Sequence, residues 1–430
     1  MSSQSPLKVL IVGGGIGGPA LAYWLAKLGH DVTVVERNPS LRAQGQQIDI
    51  RGQGVSVIRL MGIEPEIRAK GVDEAGLRFV DQNGKTVATF EANKSGTGKQ
   101  SFTSEFEIMR GDLVRLLFKS TDELGVKYIF DNSIASFEQD ADSVTVKLSN
   151  GHTDKYDLVV GADGQGSKTR RLMLNGEKDP FVPFKLHSAL FTVPREKTDD
   201  NYATVCVVPK QRMMMRRSDN PETSQVYLGL VPQDKETDRL LQESQKNRDL
   251  DMQKRLWIEL FKDAGWQTPR FIDGLEAGGV SDDFYNFQIG QVRMDKWYKG
   301  RVVLLGDAGY GPSPLTGSGT TSAFVGAYVM AGEISKHCTG DSAKAGVPAA
   351  LEAYDKTLRP FMKTVQDIAW RPNLLYPKSA FGIKVLNTVL WLVCTLKIDK
   401  LFQRLQSDDV KGWELPDYPA LPVKGTKKNA

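Results

Sequence analysis

The chain has 430 residues, 40% apolar and 25% charged, the balance of an ordinary globular protein rather than a disordered or fibrous one. At roughly 150 residues per domain, that length calls for more than one compact unit. A net charge of +4 is too small to argue for nucleic acid or a polybasic anchor, and three scattered cysteines and four scattered histidines exclude a disulfide framework and a zinc cluster.

Leu7 to Val12 is an apolar run, interrupted only by Lys8, that leads straight into glycines. It is too short for a secretory signal and reads as a strand buried on both faces. Gly13, Gly15 and Gly18 follow in a Gly-x-Gly-x-x-Gly pattern, then a helix over 20–28 ended by Gly29, then a strand over 31–36. Such a βαβ unit uses its glycines for a tight turn, close backbone approach to a pyrophosphate, and close helix–strand packing. Glu36, 18 residues beyond Gly18, can accept the hydroxyls of an adenosine ribose and repels a 2′-phosphate. The pattern predicts dinucleotide binding and leaves NAD and FAD both open.

Asn83-Gly84 and Asn150-Gly151, each flanked by alternating apolar residues, predict two hairpins. Strand-like pieces at 188–193, 203–208 and 225–231, with one helix near 249–264, predict an antiparallel sheet carrying a helix. In that region Met215, Tyr227 and Phe287 alternate as sheet core does and are also candidates for substrate lining. Arg212, Arg216 and Arg217 read as a solvated face, the alternative being contact with nucleotide phosphates or an acidic substrate. Arg301 to Leu305 returns to the buried-strand pattern, and the chain is mainly helical from Thr320. The apolar stretch 385–396 is too short to span a bilayer; it predicts a helix packed on the body, with peripheral membrane contact or a dimer face as alternatives. The tail 424–430 is expected to fray.

Two further motifs follow the first. Asp157-Leu-Val-Val-Gly-Ala-Asp-Gly164 continues to Ser167 and Arg170, and Arg301-Val-Val-Leu-Leu-Gly-Asp-Ala308 continues to Pro314-x-x-Gly317-x-Gly319. With all three motifs in order, the chain resembles the single-component FAD-dependent aromatic-hydroxylase-type monooxygenases of the p-hydroxybenzoate hydroxylase fold. Gly45-Gln-Gln-Ile-Asp-Ile50 resembles the corresponding loop of the branch containing tetracycline-inactivating monooxygenases.

The resemblance implies an α/β fold: a Rossmann-type FAD-binding domain, an inserted antiparallel sheet that receives substrate, and a C-terminal helical segment. The expected FAD-binding pieces are 1–75, 105–180 and 296–375; the substrate domain is 76–104 and 181–295; helix and tail occupy 376–430. By the same resemblance Glu36 and Arg37 serve the adenosine end of FAD, Arg110 holds the cofactor from a helix start, and Gln47 and Asp49 lie beside the isoalloxazine. Asp163 serves near flavin and NADPH, Asp307 the ribityl chain, and Pro314, Gly317 and Gly319 the flavin edge.

The implied reaction uses NADPH or NADH and O2 to oxygenate a small aromatic or polyketide-like molecule through a flavin C4a-hydroperoxide. The chemistry is flavin-borne, with no protein nucleophile and no metal; an oxidase or dehydrogenase of the same fold is the alternative. A cytoplasmic monomer or homodimer is expected. The third motif departs from the common pattern at Tyr310, Ser318 and Thr321, where the family often has His, Gln and Asn.

Overall fold

The computed structural model describes residues 5–42, 45–92, 106–218, 221–247, 249–276, 283–368, 375–398 and 409–421. The frayed tail expected at 424–430 lies outside them. A six-stranded sheet has the order Tyr298–Lys299, Val302–Leu304, Leu158–Gly161, Lys8–Val12, Asp31–Val35, Lys127–Ile129, parallel throughout except at the first pairing. Its central strands are apolar along most of their length, with Lys8 and Asp31 only at their starts, because both faces are covered. Val9, Ile11, Val34, Val160 and Val303 pack under helices Gly17–Lys27 and Gly319–His337. Leu10, Val12, Val35, Val159 and Leu304 point the other way, against Val144, Val146 and Leu148 of a three-stranded sheet.

The parallel register brings four strand ends to one edge. Val12 pairs with Gly161 and Val35, and Gly161 with Leu304. The three motifs and Glu36 therefore all leave the sheet from its carboxyl edge, where open α/β sheets take their ligands.

A seven-stranded sheet stands beside this unit, in the order Tyr285–Val292, Phe181–Pro194, Thr223–Leu230, Arg212–Arg217, Tyr202–Val208, Gly76–Val80, Thr86–Glu91. It corrects the expectation of a purely antiparallel sheet, because Tyr202–Val208 pairs with Gly76–Val80 in parallel. It also carries three helices rather than one: Lys235–Asn247, Leu250–Phe261 and Thr268–Leu275. Trp257, Phe261, Phe271 and Leu275 seal one face over Phe191, Met214 and Val226. The opposite face bears Tyr285, Leu190, Tyr227 and Met215, which are cross-strand partners in one row. Helix Ala380–Thr395 covers part of that face, with Ile383 and Leu386 on Val205, Val207, Met213 and Met215. Among the described residues, no helix is long and apolar enough to cross a membrane.

Candidate functional site

The glycine loop is fixed by sterics. Gly13 has φ +117°, and a Cβ there would lie 2.4 Å from the Ala162 carbonyl oxygen of the second motif. A Cβ on Gly18 would lie 2.0 Å from the Gly13 oxygen, so helix Gly17–Lys27 approaches the strand this closely only without a side chain. This helix start has no side-chain cap and no acidic residue in its first turn. Its N–H groups and the positive dipole end, worth about half a charge, are suited to an anion.

Glu36 is buried beside the loop, where one carboxylate oxygen accepts Gly14 N–H at 2.8 Å and the other accepts Asn38 N–H at 2.9 Å and Nδ2 at 2.7 Å. Arg37 is exposed at the same edge. Arg110 opens helix Arg110–Asp122 and donates its backbone N–H to Gln46 O at 2.9 Å and Nη1 to Arg42 O at 3.1 Å. A Cβ on Gly15 would lie 3.6 Å from Arg110 Nη2, which places the guanidinium at the glycine loop. Burial and Arg42 lower its pKa, opposed by Glu36 and Asp307.

The third motif closes the same edge. Gly306 (φ +63°) turns the chain so that Asp307 begins the short helix Asp307–Tyr310. Asp307 is open to solvent, yet the protein mass packed around its carboxyl raises the pKa, and Arg110 pulls it back. Pro314 opens an exposed 3-10 turn, and Gly317 takes φ +61°. Helix Gly319–His337 also starts without a side-chain cap or an acid in its first turn. Thr321 Oγ1 accepts Arg51 N–H at 2.9 Å and donates to Arg51 O at 3.1 Å, clamping the 45–51 segment to this helix start. Tyr310 is a core residue, its hydroxyl accepting from Tyr354 at 2.9 Å, and Gly326 leaves the space for it.

Asp163 has a bracing position. Its carboxylate accepts Ser167 Oγ at 2.5 Å, Lys168 N–H at 2.8 Å, Thr169 N–H at 3.0 Å and Thr169 Oγ1 at 3.1 Å, holding the start of helix Lys168–Leu174. From that helix buried Arg170 donates to Ala308 O at 2.8 Å, tying the second motif to the third.

Gln47–Asp49 pairs with Glu107–Met109 as a two-stranded ladder, so Gln47, Asp49, Glu107 and Met109 share one face. That face meets the seven-stranded sheet: Gln225 Nε2 donates to Met109 Sδ at 3.2 Å, and Tyr227 donates to Gln225 Oε1 at 2.7 Å. Arg217 binds Glu74 through Nε at 2.8 Å and Nη2 at 2.9 Å, and also binds Glu107. Asp49 pairs with Arg51 at 3.0 Å. Three carboxylates thus meet two guanidiniums. Burial, with Asp49 and Glu74 nearby, pushes Glu107 up to about 8 despite Arg217.

These pairings correct the reading of Arg212, Arg216 and Arg217 as a solvated face. Arg212 and Arg216 are buried on the helix-covered side of the sheet, where Arg212 donates to Asp263 at 2.5 Å and Leu260 O at 2.7 Å, and Arg216 binds Asp199. Their negative partners come from other segments, 17 and 51 residues away in sequence, so no local pattern announces them.

Of the three candidate lining residues, Tyr227 alone borders the crevice formed with Arg42, Gln46, Leu190, Gln225 and Tyr285. Met215 packs under helix Ala380–Thr395, and Phe287 stacks on Tyr285 at 5.7 Å and packs in a cluster with Tyr376. All three lie on the same sheet face.

The 45–51 segment fits a bound polar, planar group. Gln46 Nε2, Asp49 Oδ1 and Arg51 Nε are buried without a protein partner, while the Gln47 amide faces Glu74. They lie between the glycine loop and Gly317, whose Cβ would sit 3.7 Å from Asp49 Oδ2. Among the described residues, no cluster of His, Cys, Asp or Glu is arranged to hold a metal ion.

Comparison with known proteins gives the class: residues 6–369 match the FAD binding domain family, and the chain belongs to it, within its flavin-dependent monooxygenases. It is 42% identical to the FAD-dependent monooxygenase asL4 of Sarocladium schorii, over 96% of this chain and 99% of that one. It is also 42% identical to the flavin-dependent monooxygenase eupH of a Phoma species, over 98% and 100%. The crystal structure of tetracycline destructase Tet(55) superposes with a TM-score of 0.74 at 31% identity, covering 96% of this chain and 99% of that one.

Proposed function

We propose that the chain is an NAD(P)H-dependent FAD monooxygenase that inserts one atom of O2 into a small aromatic or polyketide-like molecule. The observation that carries this reading is the convergence of three distant motifs and Arg110 on one sheet edge, beside a crevice under the seven-stranded sheet.

Bound FAD supplies the hydride acceptance and the oxygen activation. The chain's residues bind and orient it. Gly13, Gly15 and Gly18 leave room for the pyrophosphate at an uncapped helix start, with Arg110 beside it as counter-charge. Glu36 and Arg37 take the adenosine end, and Asp307 the ribityl hydroxyls. Gln47 and Asp49 stand beside the ring, Asp49 offering a buried carboxylate oxygen that lacks a protein partner. Pro314, Gly317 and Gly319 shape the second uncapped helix start, which favours negative charge on a neighbouring ring edge by roughly 0.3–2 kcal/mol. Asp163 acts here as a brace that sets Arg170 against Ala308 and so positions Asp307.

Tyr227, Gln225, Tyr285 and Leu190 offer a substrate two hydroxyls, an amide and apolar surface in a crevice between the two sheets, as small-molecule sites commonly do. The helix over Met213 and Met215 screens the far end of that face from water.

The test uses NADPH, a panel of phenolic and polyketide-like compounds, and ¹⁸O2. A true substrate accelerates NADPH oxidation and its product carries ¹⁸O. Turnover whose product is labelled only from H2¹⁸O would assign the chain to oxidase or dehydrogenase chemistry instead.

A further inference from the structure

Helix Ala380–Thr395 is apolar on two sides, and among the described residues only one of them has a partner. Ile383 and Leu386 pack on the seven-stranded sheet, and Cys394 Sγ donates to Thr89 O at 3.2 Å. On the outer side Phe381 is 75% exposed, Val385 48%, Val389 50%, Leu392 41% and, just beyond the last turn, Leu396 65%. At 3.6 residues per turn these five fall within an arc of about 80°. Thr388, Thr395, Lys384 and Trp391 continue the exposed surface along one flank, with Trp391 53% exposed. An ordinary surface helix is polar on its outer face, so a continuous apolar stripe there marks a binding surface.

We propose that this face seats the protein on an anionic lipid surface. Charge decides the occupant. Residues 376–398 contain no Asp or Glu, while Lys378, Lys384 and Lys397 are all exposed around the stripe. A two-fold contact between copies of this helix would set lysines against lysines with no acid from the stretch to pair them. A bilayer rich in phosphatidylserine supplies the missing negative charge as well as the apolar phase. At 16 residues the helix is about 24 Å long, and it is already seated along the sheet, so it would lie in the interface rather than span it. A tryptophan beside lysines on the edge of the stripe suits the headgroup boundary, where amphipathic rings and long cationic chains settle.

The test sediments the full-length, flavin-loaded protein with phosphatidylcholine vesicles made with and without phosphatidylserine. Binding is expected to phosphatidylserine vesicles, to weaken with salt, and to fall roughly fivefold for each of Lys384→Glu and Lys397→Glu. Phe381→Ser with Leu392→Ser should reduce binding at least about tenfold, since two large apolar side chains leave the interface. Those side chains touch no part of the FAD site, so unchanged flavin content and Tm would confirm that the variant is folded. Failure of the loaded natural protein to sediment at low salt would overturn the proposal. So would binding that the double variant leaves intact, or a solution dimer that the double variant dissociates.

Discussion

At Gly18 a single methyl group would meet the Gly13 carbonyl oxygen at 2.0 Å, and neither backbone segment can yield without moving a strand or a helix. Gly18→Ala is therefore expected to cost about 1–3 kcal/mol or more and to abolish FAD retention, read from the Tm and the flavin absorbance. Asp307→Ala removes a solvent-open carboxylate without disturbing the core and should yield folded, pale protein; a folded variant with full flavin content would contradict the ribityl role. Glu107 gives a pH signature. Its folded pKa is raised to about 8 from an ordinary 4.5, so the folded chain holds a proton that the unfolded chain has released. This contribution stabilises the protein fully below about 4.5 and is lost as pH rises through 8. Glu107→Gln should flatten the decline of Tm across that window, and an unaltered slope would show that the proton sits elsewhere. The glycines were legible in the sequence because backbone sterics leave few alternatives, whereas the Glu107–Arg217–Glu74 cluster joins residues 74, 107 and 217 and has no local signal.

The strands around the carboxyl edge were legible at the scale of elements, since 9–12, 158–160 and 302–305 are continuously apolar and each leads to glycine. Asn83-Gly84 and Asn150-Gly151 do sit between paired strands. What the sequence hid was partnership. The parallel pairing of Gly76–Val80 with Tyr202–Val208 joins segments more than a hundred residues apart, and Arg212–Arg217 is a strand despite three arginines because each guanidinium finds a carboxylate. Helix Lys168–Leu174 shows how an element end can carry a motif: Asp163 caps two of its N–H groups, and Arg170 then reaches Ala308. Asp163→Ala should lower stability by about 0.5–2 kcal/mol in a denaturant titration, the usual cost of losing a cap. Flavin content should fall only as far as the helix loosens. Complete loss of flavin from a variant of near-natural Tm would instead give Asp163 a direct contact.

The whole molecule sets two sheets beside each other with different tasks. The parallel sheet aligns four strand ends, so that loops separated by almost three hundred residues become neighbours. The second sheet offers one sealed face to its own helices and one working face toward the crevice and helix Ala380–Thr395. The most direct test of this arrangement is the flavin content of the purified chain, measured after denaturation by absorbance and chromatography. About one FAD per folded chain is expected, released on unfolding and regained when FAD is added back to the refolded protein. A monomeric, cooperatively folded chain that takes up no FAD at micromolar concentration would contradict it.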